Sequence, residues 1–121
     1  MTPLGARLRL MREERGLSLK DMARALNVSS AYLSALEHGH RGTPTFTLLQ
    51  RMIAYFNVIW DEAEELQRLA ELSDPRVTID TGGMAPEATE LANRLAADIG
   101  RLEVEDLLVL KTELAKRTGR R

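Results

Sequence analysis

Between Ser18 and Gly39 the chain reads S-L-K-D-M-A-R-A-L-N-V-S-S-A-Y-L-S-A-L-E-H-G, and this stretch restricts the fold more than any other. Ser18 stands where a helix N-cap belongs. Asp21, three positions on, stands where the acid of a capping box belongs, although Asp replaces the usual Glu or Gln. Met22, Ala23 and Leu26 follow as an apolar stripe at helical spacing. Asn27 tolerates the left-handed backbone region and so suits a sharp turn. Ser29 then caps a second helix carrying Tyr32, Leu33 and Leu36, which Gly39 stops. The pattern therefore predicts two short helices joined at Asn27-Val28-Ser29.

The flanking segments predict further helices. Leu4, Leu8 and Met11 recur at helical spacing before Gly16. The stretch His40–Pro44 is a loop, and Thr43 or Thr45 caps a helix whose apolar face is Phe46, Leu49, Met52, Ile53 and Phe56. Another helix begins near Trp60 and runs through Ala63, Leu66 and Leu69, with Trp60 and Phe56 read as core. From Ser73 to Ala85 the pattern changes. Asp74-Pro75 and Gly82-Gly83 are breakers. Val77 and Ile79 alternate with polar residues between them, as in a short strand that could form only by pairing across a dimer axis. Pro86 opens a helix with Leu91, Leu95, Ile99 and Leu102 on one stripe. Gly100 kinks or ends that helix, and a last helix shows Val104, Leu107, Leu110 and Leu114 before a frayed, basic Thr118–Arg121.

Composition removes several functions. The chain has 121 residues, so it holds one domain, or one small domain with an association element. Without cysteine there is no disulfide framework, thiolate zinc site or cysteine nucleophile. His38 and His40 are too few for a structural zinc cage and are read as surface or phosphate-facing residues. No apolar run nears the roughly 18 residues that span a bilayer, and the N-terminus has no signal-peptide pattern, so a cytoplasmic location is expected. No Gly-rich phosphate loop or nucleophile–base pair is visible, and neither an enzyme nor a cofactor is expected. The formal net charge of −1 conceals an asymmetry. Up to Ile59 eight basic groups face four acidic ones, whereas nine face fourteen beyond it. A basic half joined to an acidic half suits a polyanion-binding module with a separate association module.

The two helices of Ser18–Gly39 form a helix-turn-helix candidate. Ala23 must be small because the helices cross closely there, and Val28, Leu33 and Leu36 bury the inner face of the second helix. That leaves Ser29, Ser30, Ala31, Ser34, Ala35 and His38 pointing outward. A face of small, hydrogen-bonding residues suits a helix that enters a groove closely. With the runs G-L-S-L-K-D-M-A-R-A-L-N-V-S and Y-L-S-A-L-E-H-G, and T-P-T-F-T-L-L-Q-R-M-I after the loop, the sequence resembles the lambda-repressor/Cro-like (XRE) family of DNA-binding domains over roughly Pro3 to Leu72. The resemblance implies an all-α fold. A five-helix DNA-binding domain would fill residues 1–72; beyond Leu72 the resemblance implies nothing, and the breakers and leucine stripes alone give a linker that could hold a short strand over 73–85 and a helical association region over 86–121. For the domain itself, the resemblance goes further. It implies that Ser29–Glu37 is the recognition helix, with Ser29, Ser30, Ala31 and Ala35 at base-reading positions. It also implies that Glu37 is a structural acid, salt-bridged to a basic group of the first helix such as Arg12.

Departures from the family pattern shape the expectation further. The second helix opens with Leu19 where the family usually has a phosphate-holding Gln, so Lys20 or Ser18 would take that role. The loop offers Arg41, with Thr43 and Thr45 as hydroxyl donors to phosphate. Ala31 and Ala35 offer methyl contacts, so DNA shape and dimer spacing would contribute to specificity. Tyr32 contacts a phosphate through its hydroxyl or packs its ring on the core. Leu10 and Leu19 are covered by the C-terminal helices or a partner, or are scattered surface leucines. The function expected is a sequence-specific regulator binding duplex DNA as a homodimer, associated through Leu91, Leu95, Ile99, Leu102, Leu107, Leu110 and Leu114. The alternative is an antitoxin or adaptor whose acidic C-terminal helices bind a partner protein.

Overall fold

The computed structural model describes residues 1–120 as seven α-helices and one 3-10 turn: α1 Pro3–Glu14, α2 Leu19–Leu26, α3 Ser30–His38, α4 Phe46–Phe56, α5 Asp61–Glu71, α6 Pro86–Asp98, the turn Ile99–Arg101 and α7 Val104–Thr118. Arg121, part of the end expected to fray, lies outside the described residues. Two units form, Met1–Val77 and a second from Thr78 onward.

In the first unit α1 to α4 each start on a side chain that satisfies an otherwise orphan N–H group. Thr2 Oγ1 accepts from the Gly5 N–H at 2.9 Å, and Pro3 sits where no donor is needed. Ser18 and Asp21 cap α2 reciprocally: the Asp21 N–H donates to Ser18 Oγ at 3.0 Å, and the Ser18 N–H donates to Asp21 Oδ2 at 3.3 Å. The Tyr32 N–H donates to Ser29 Oγ at 3.0 Å at α3. Of the two threonines considered for α4, Thr45 is the cap, accepting from the Leu48 N–H at 3.2 Å. The stops are left-handed residues, Asn27 (φ 58°), Gly39 (φ 82°) and Asn57 (φ 53°). Helix α5 has no side-chain cap, but Asp61, Glu62 and Glu64 in its first turn oppose the positive end of its dipole.

The stripes predicted for the first helices meet in one core, in which Leu4, Leu8, Met22, Leu26, Leu33, Met52 and Leu66 are almost wholly buried. Three contacts tie α1 to the rest. Arg12 bridges to Glu37 of α3 in a buried bidentate pair, Nη2–Oε1 at 3.2 Å and Nε–Oε2 at 3.3 Å. Gly5 lies so close to the Glu37 backbone that a Cβ there would overlap the Glu37 carbonyl. The Leu4 N–H donates to Ser73 Oγ at 2.9 Å, so the end of α5 closes over the start of α1.

Trp60, read as core, and Phe46, read on the apolar face of α4, both face solvent. Trp60 is 79% exposed and Phe46 is 74% exposed. Phe46 opens α4 and Trp60 stands just before α5, each at the very start of its apolar stripe. Trp60 precedes α5 with a left-handed φ of 54°, which turns its side chain off the stripe of Leu66 and Ala70. Phe56, by contrast, is buried with its ring edge against Tyr55. Leu19 packs against the core, whereas Leu10 is exposed. No strand forms among the described residues. Val77 and Ile79 are exposed on irregular backbone, and the Asp74 and Asp80 carboxylates instead accept the Arg76 and Gly82 N–H groups at 2.9 Å.

In the second unit Gly100 sits within the 3-10 turn, and Leu102 leaves it extended, so two helices form rather than one kinked helix. The Glu103 N–H donates to Asp106 Oδ2 at 3.0 Å at the start of α7. Leu91, Leu95, Ile99, Leu102 and Leu110 line one groove shared by α6 and α7. No residue of α6, the turn or α7 is fully buried, and Leu91, Ile99, Leu110 and Leu114 are exposed. Leu107 is partly buried outside that groove. Val104, Leu108 and Val109 add to the exposed apolar surface.

Candidate nucleic-acid interface

Helices α2 and α3 pack on each other, Ala23 is buried, and the left-handed Asn27 turns the chain between them. The Val28 N–H donates to the Ala23 carbonyl at 3.0 Å, so the turn closes on its own backbone. Helix α3 buries Leu33, Leu36 and Glu37 and leaves Ser30 and Ala31 exposed on its first turn, with Ser34 and Ala35 half-buried along it. Glu37 is turned inward onto Arg12, which takes the only acid of α3 off its outward face.

Ser29, Tyr32 and Thr45 line one hollow, together with Val28, Thr47, Leu48 and Arg51. Both the N-cap of α3 and the N-cap of α4 therefore open into the same concavity. Positive partial charge from two helix ends meets the Arg51 guanidinium there. Arg41 joins the cluster from the loop, its Cζ 5.6 Å from the centre of the Tyr32 ring. Of the two alternatives for Tyr32, the structure shows the packing one, and the residue also borders this hollow.

Other residues stand apart from that hollow. Ser18 and Lys20 are exposed at the start of α2. The Ser18 hydroxyl, followed by the Ser18 backbone N–H, holds the Asp21 carboxyl below its ordinary range. His38 is exposed, with Nδ1 2.8 Å from the Ser34 carbonyl oxygen and its ring stacked at 6.4 Å on His40. Thr43 lies on another side, in a hollow with Pro44, Phe46 and Leu49 that reaches Gln67 and Glu71 of α5.

A family model described as a helix-turn-helix domain matches residues 3–73. The chain belongs to the helix-turn-helix family. Its lambda-repressor/Cro-like resemblance therefore stands, and α2 and α3 are the two helices of the motif. It is similar to the HTH-type transcriptional regulator DdrOP3 of Deinococcus deserti, 46% identical over 52 residues covering 43% of this chain and 40% of that protein. It is also similar to the uncharacterized HTH-type transcriptional regulator RghRB of Bacillus subtilis, 34% identical over 61 residues, 50% of this chain and 44% of the other. The matches thus span less than half the length of either relative. A solved SinR protein/SinI protein complex is similar at 23% identity and a TM-score of 0.45, over 95% of this chain and 98% of that one, a likeness too loose to place any residue.

Within the helix-turn-helix domain, Arg51 and Thr47 are site candidates that sequence reading passes over. The signal was present: Thr47 lies two and Arg51 six positions beyond the cap Thr45, out of register with the apolar stripe of Leu49 and Ile53. No helix among the described residues is long and apolar enough to cross a membrane, and none of their His, Asp and Glu side chains cluster as a metal site.

Proposed function

We propose that this helix-turn-helix regulator is a homodimer that reads duplex DNA in a sequence-specific manner, laying α3 in the major groove and associating through residues 86–117. The observation that carries the reading is the outward face of α3. Ser30 and Ala31 are exposed and Ser34 and Ala35 half-exposed, with no long or acidic side chain among them, so the helix backbone can approach base edges closely. Ser29, Arg41 and Thr45 would meet the sugar-phosphate backbone beside it, with Tyr32 acting through its ring rather than its hydroxyl, and Ser18 and Lys20 would meet the backbone at the start of α2. His38 and Thr43 would serve at the edges of the contact. The role is binding rather than catalysis.

The dimer half of the proposal is supported by the second unit. A helix pair that leaves Leu91, Ile99, Leu110 and Leu114 in water has no core of its own, and a second copy supplies one. The same surface also suits a different protein, the antitoxin or adaptor reading. Residues 86–121 carry seven acidic and seven basic groups rather than the acidic excess expected, so such a partner would be held through the exposed leucines and not by net charge. A gel-shift titration against the DNA upstream of the coding sequence, run across salt, tests the main reading. Ser30→Glu must abolish binding while light scattering still reports a dimer. Unchanged binding would remove α3 from the groove. Co-purification of a small basic protein that is lost on deleting 86–121 would favour the partner reading.

A further inference from the structure

We infer that Tyr32 is a positioning residue for Arg41, its ring holding the loop guanidinium where its N–H donors reach one backbone phosphate of duplex DNA; this rests on the DNA-binding reading above. The two residues differ in how firmly they are held. Tyr32 is fixed twice, by its N–H on Ser29 Oγ and by packing of its ring against the core. Arg41 lies in the exposed loop between α3 and α4, flanked by Gly39 in the left-handed region and by Gly42. A long side chain on such a loop samples many rotamers, and fixing one on binding opposes association. A ring face within about 6 Å of the guanidinium attracts it before the DNA arrives, and here the separation is 5.6 Å.

The kind of partner matters as much as its presence. Arg9, Arg12, Arg68 and Arg117 each bond to a carboxylate, which neutralises the charge and occupies donors. Arg41 has no carboxylate within ion-pair distance among the described residues, and it has an aromatic face instead. Stacking uses the face of the guanidinium and leaves its edge, with the planar fork of donors, available to two phosphate oxygens. A neighbouring charge completes the setting, since Arg51 lines the hollow that Tyr32 borders.

The test is a salt titration of binding to a mixed-sequence duplex of about 30 base pairs, which needs no knowledge of the operator because it reads phosphate contacts alone. Wild type, Tyr32→Phe, Tyr32→Leu, Arg41→Ala and the double variant Tyr32→Leu/Arg41→Ala are compared, each checked for an unchanged helical circular-dichroism spectrum. Arg41→Ala should lower the slope of log K against log salt by about 0.9, the loss of one phosphate contact. Tyr32→Phe, which keeps the ring, should bind as wild type. Tyr32→Leu should bind about two- to five-fold more weakly, and that loss should vanish in the Arg41→Ala background. Three results would overturn the assignment: an unchanged slope for Arg41→Ala, an equal loss in Tyr32→Phe, or a Tyr32→Leu loss that persists without Arg41. Wild type that fails to bind the duplex at low salt would instead remove the DNA-binding reading itself, and the inference with it.

Discussion

Arg12 and Glu37 are the most consequential pair of residues in the first unit, because neither can be changed alone. Glu37 is 2% exposed, and both its oxygens accept from the Arg12 guanidinium. Removing Arg12 leaves a desolvated carboxylate without a counter-charge, so Arg12→Ala should cost about 3–5 kcal/mol of unfolding free energy by urea titration. Asp21 is coupled to pH with the opposite economy of burial, lying fully at the surface. Its folded pKa is lowered from 3.8 by the Ser18 hydroxyl and N–H. Its stabilising contribution is therefore complete above that value and fades as pH falls through the lower folded pKa. The gap in urea midpoint between wild type and Asp21→Asn should be present at neutral pH and shrink as the pH is taken down to about 3. The capping partnership could be read from S-x-x-D, and the ion pair followed from the family resemblance. The Gly5–Glu37 contact could not be read, because its partner lies 32 positions away and a glycine at helical spacing carries no label for close approach. Trp60 fails for a related reason: apolar character gives periodicity but not what lies opposite, and a left-handed φ aims it at solvent.

Helices were legible where caps and stripes agreed. Ser18, Ser29 and Thr45 each accept from the N–H three residues on, and Asn27 takes the left-handed turn that its type suggests. The angle between α2 and α3 depends on that one residue. Asn27→Gly should leave stability nearly unchanged, whereas Asn27→Val should cost about 1–2 kcal/mol in thermal or urea unfolding and weaken DNA binding through the misplaced α3. Elements needing a tertiary or intermolecular partner were harder. Two alternating apolar residues, Val77 and Ile79, cannot make a strand within one chain, and their stretch is irregular. Gly100 is compatible with both a kink and a stop, and the extended Leu102 decides for a stop. Ser73 joins the end of α5 to the start of α1 through the Leu4 N–H, a link with no local pattern behind it.

At the scale of the whole molecule, a net charge of −1 is the sum of two unlike parts. The basic groups are spread nearly evenly, eight up to Ile59 and nine beyond it, whereas the acids rise from four to fourteen, half of these between Asp61 and Asp80. The first part carries α3, the helix proposed to enter the major groove. The second exposes the leucines that a second copy would cover. One helix-turn-helix offers little base-reading surface, so the proposal stands or falls on two copies presenting α3 with a fixed separation. The chain has no cysteine, so Ser30→Cys places one spin label on each α3 without further substitution. Pulsed dipolar spectroscopy of the labelled protein then reads the distance between the two recognition helices. A dimer that reads successive major grooves predicts a dominant separation near one helical turn of DNA, about 34 Å, widened only by the reach of the labels. An absence of dipolar coupling, or a single sharp distance far from that value, would contradict it.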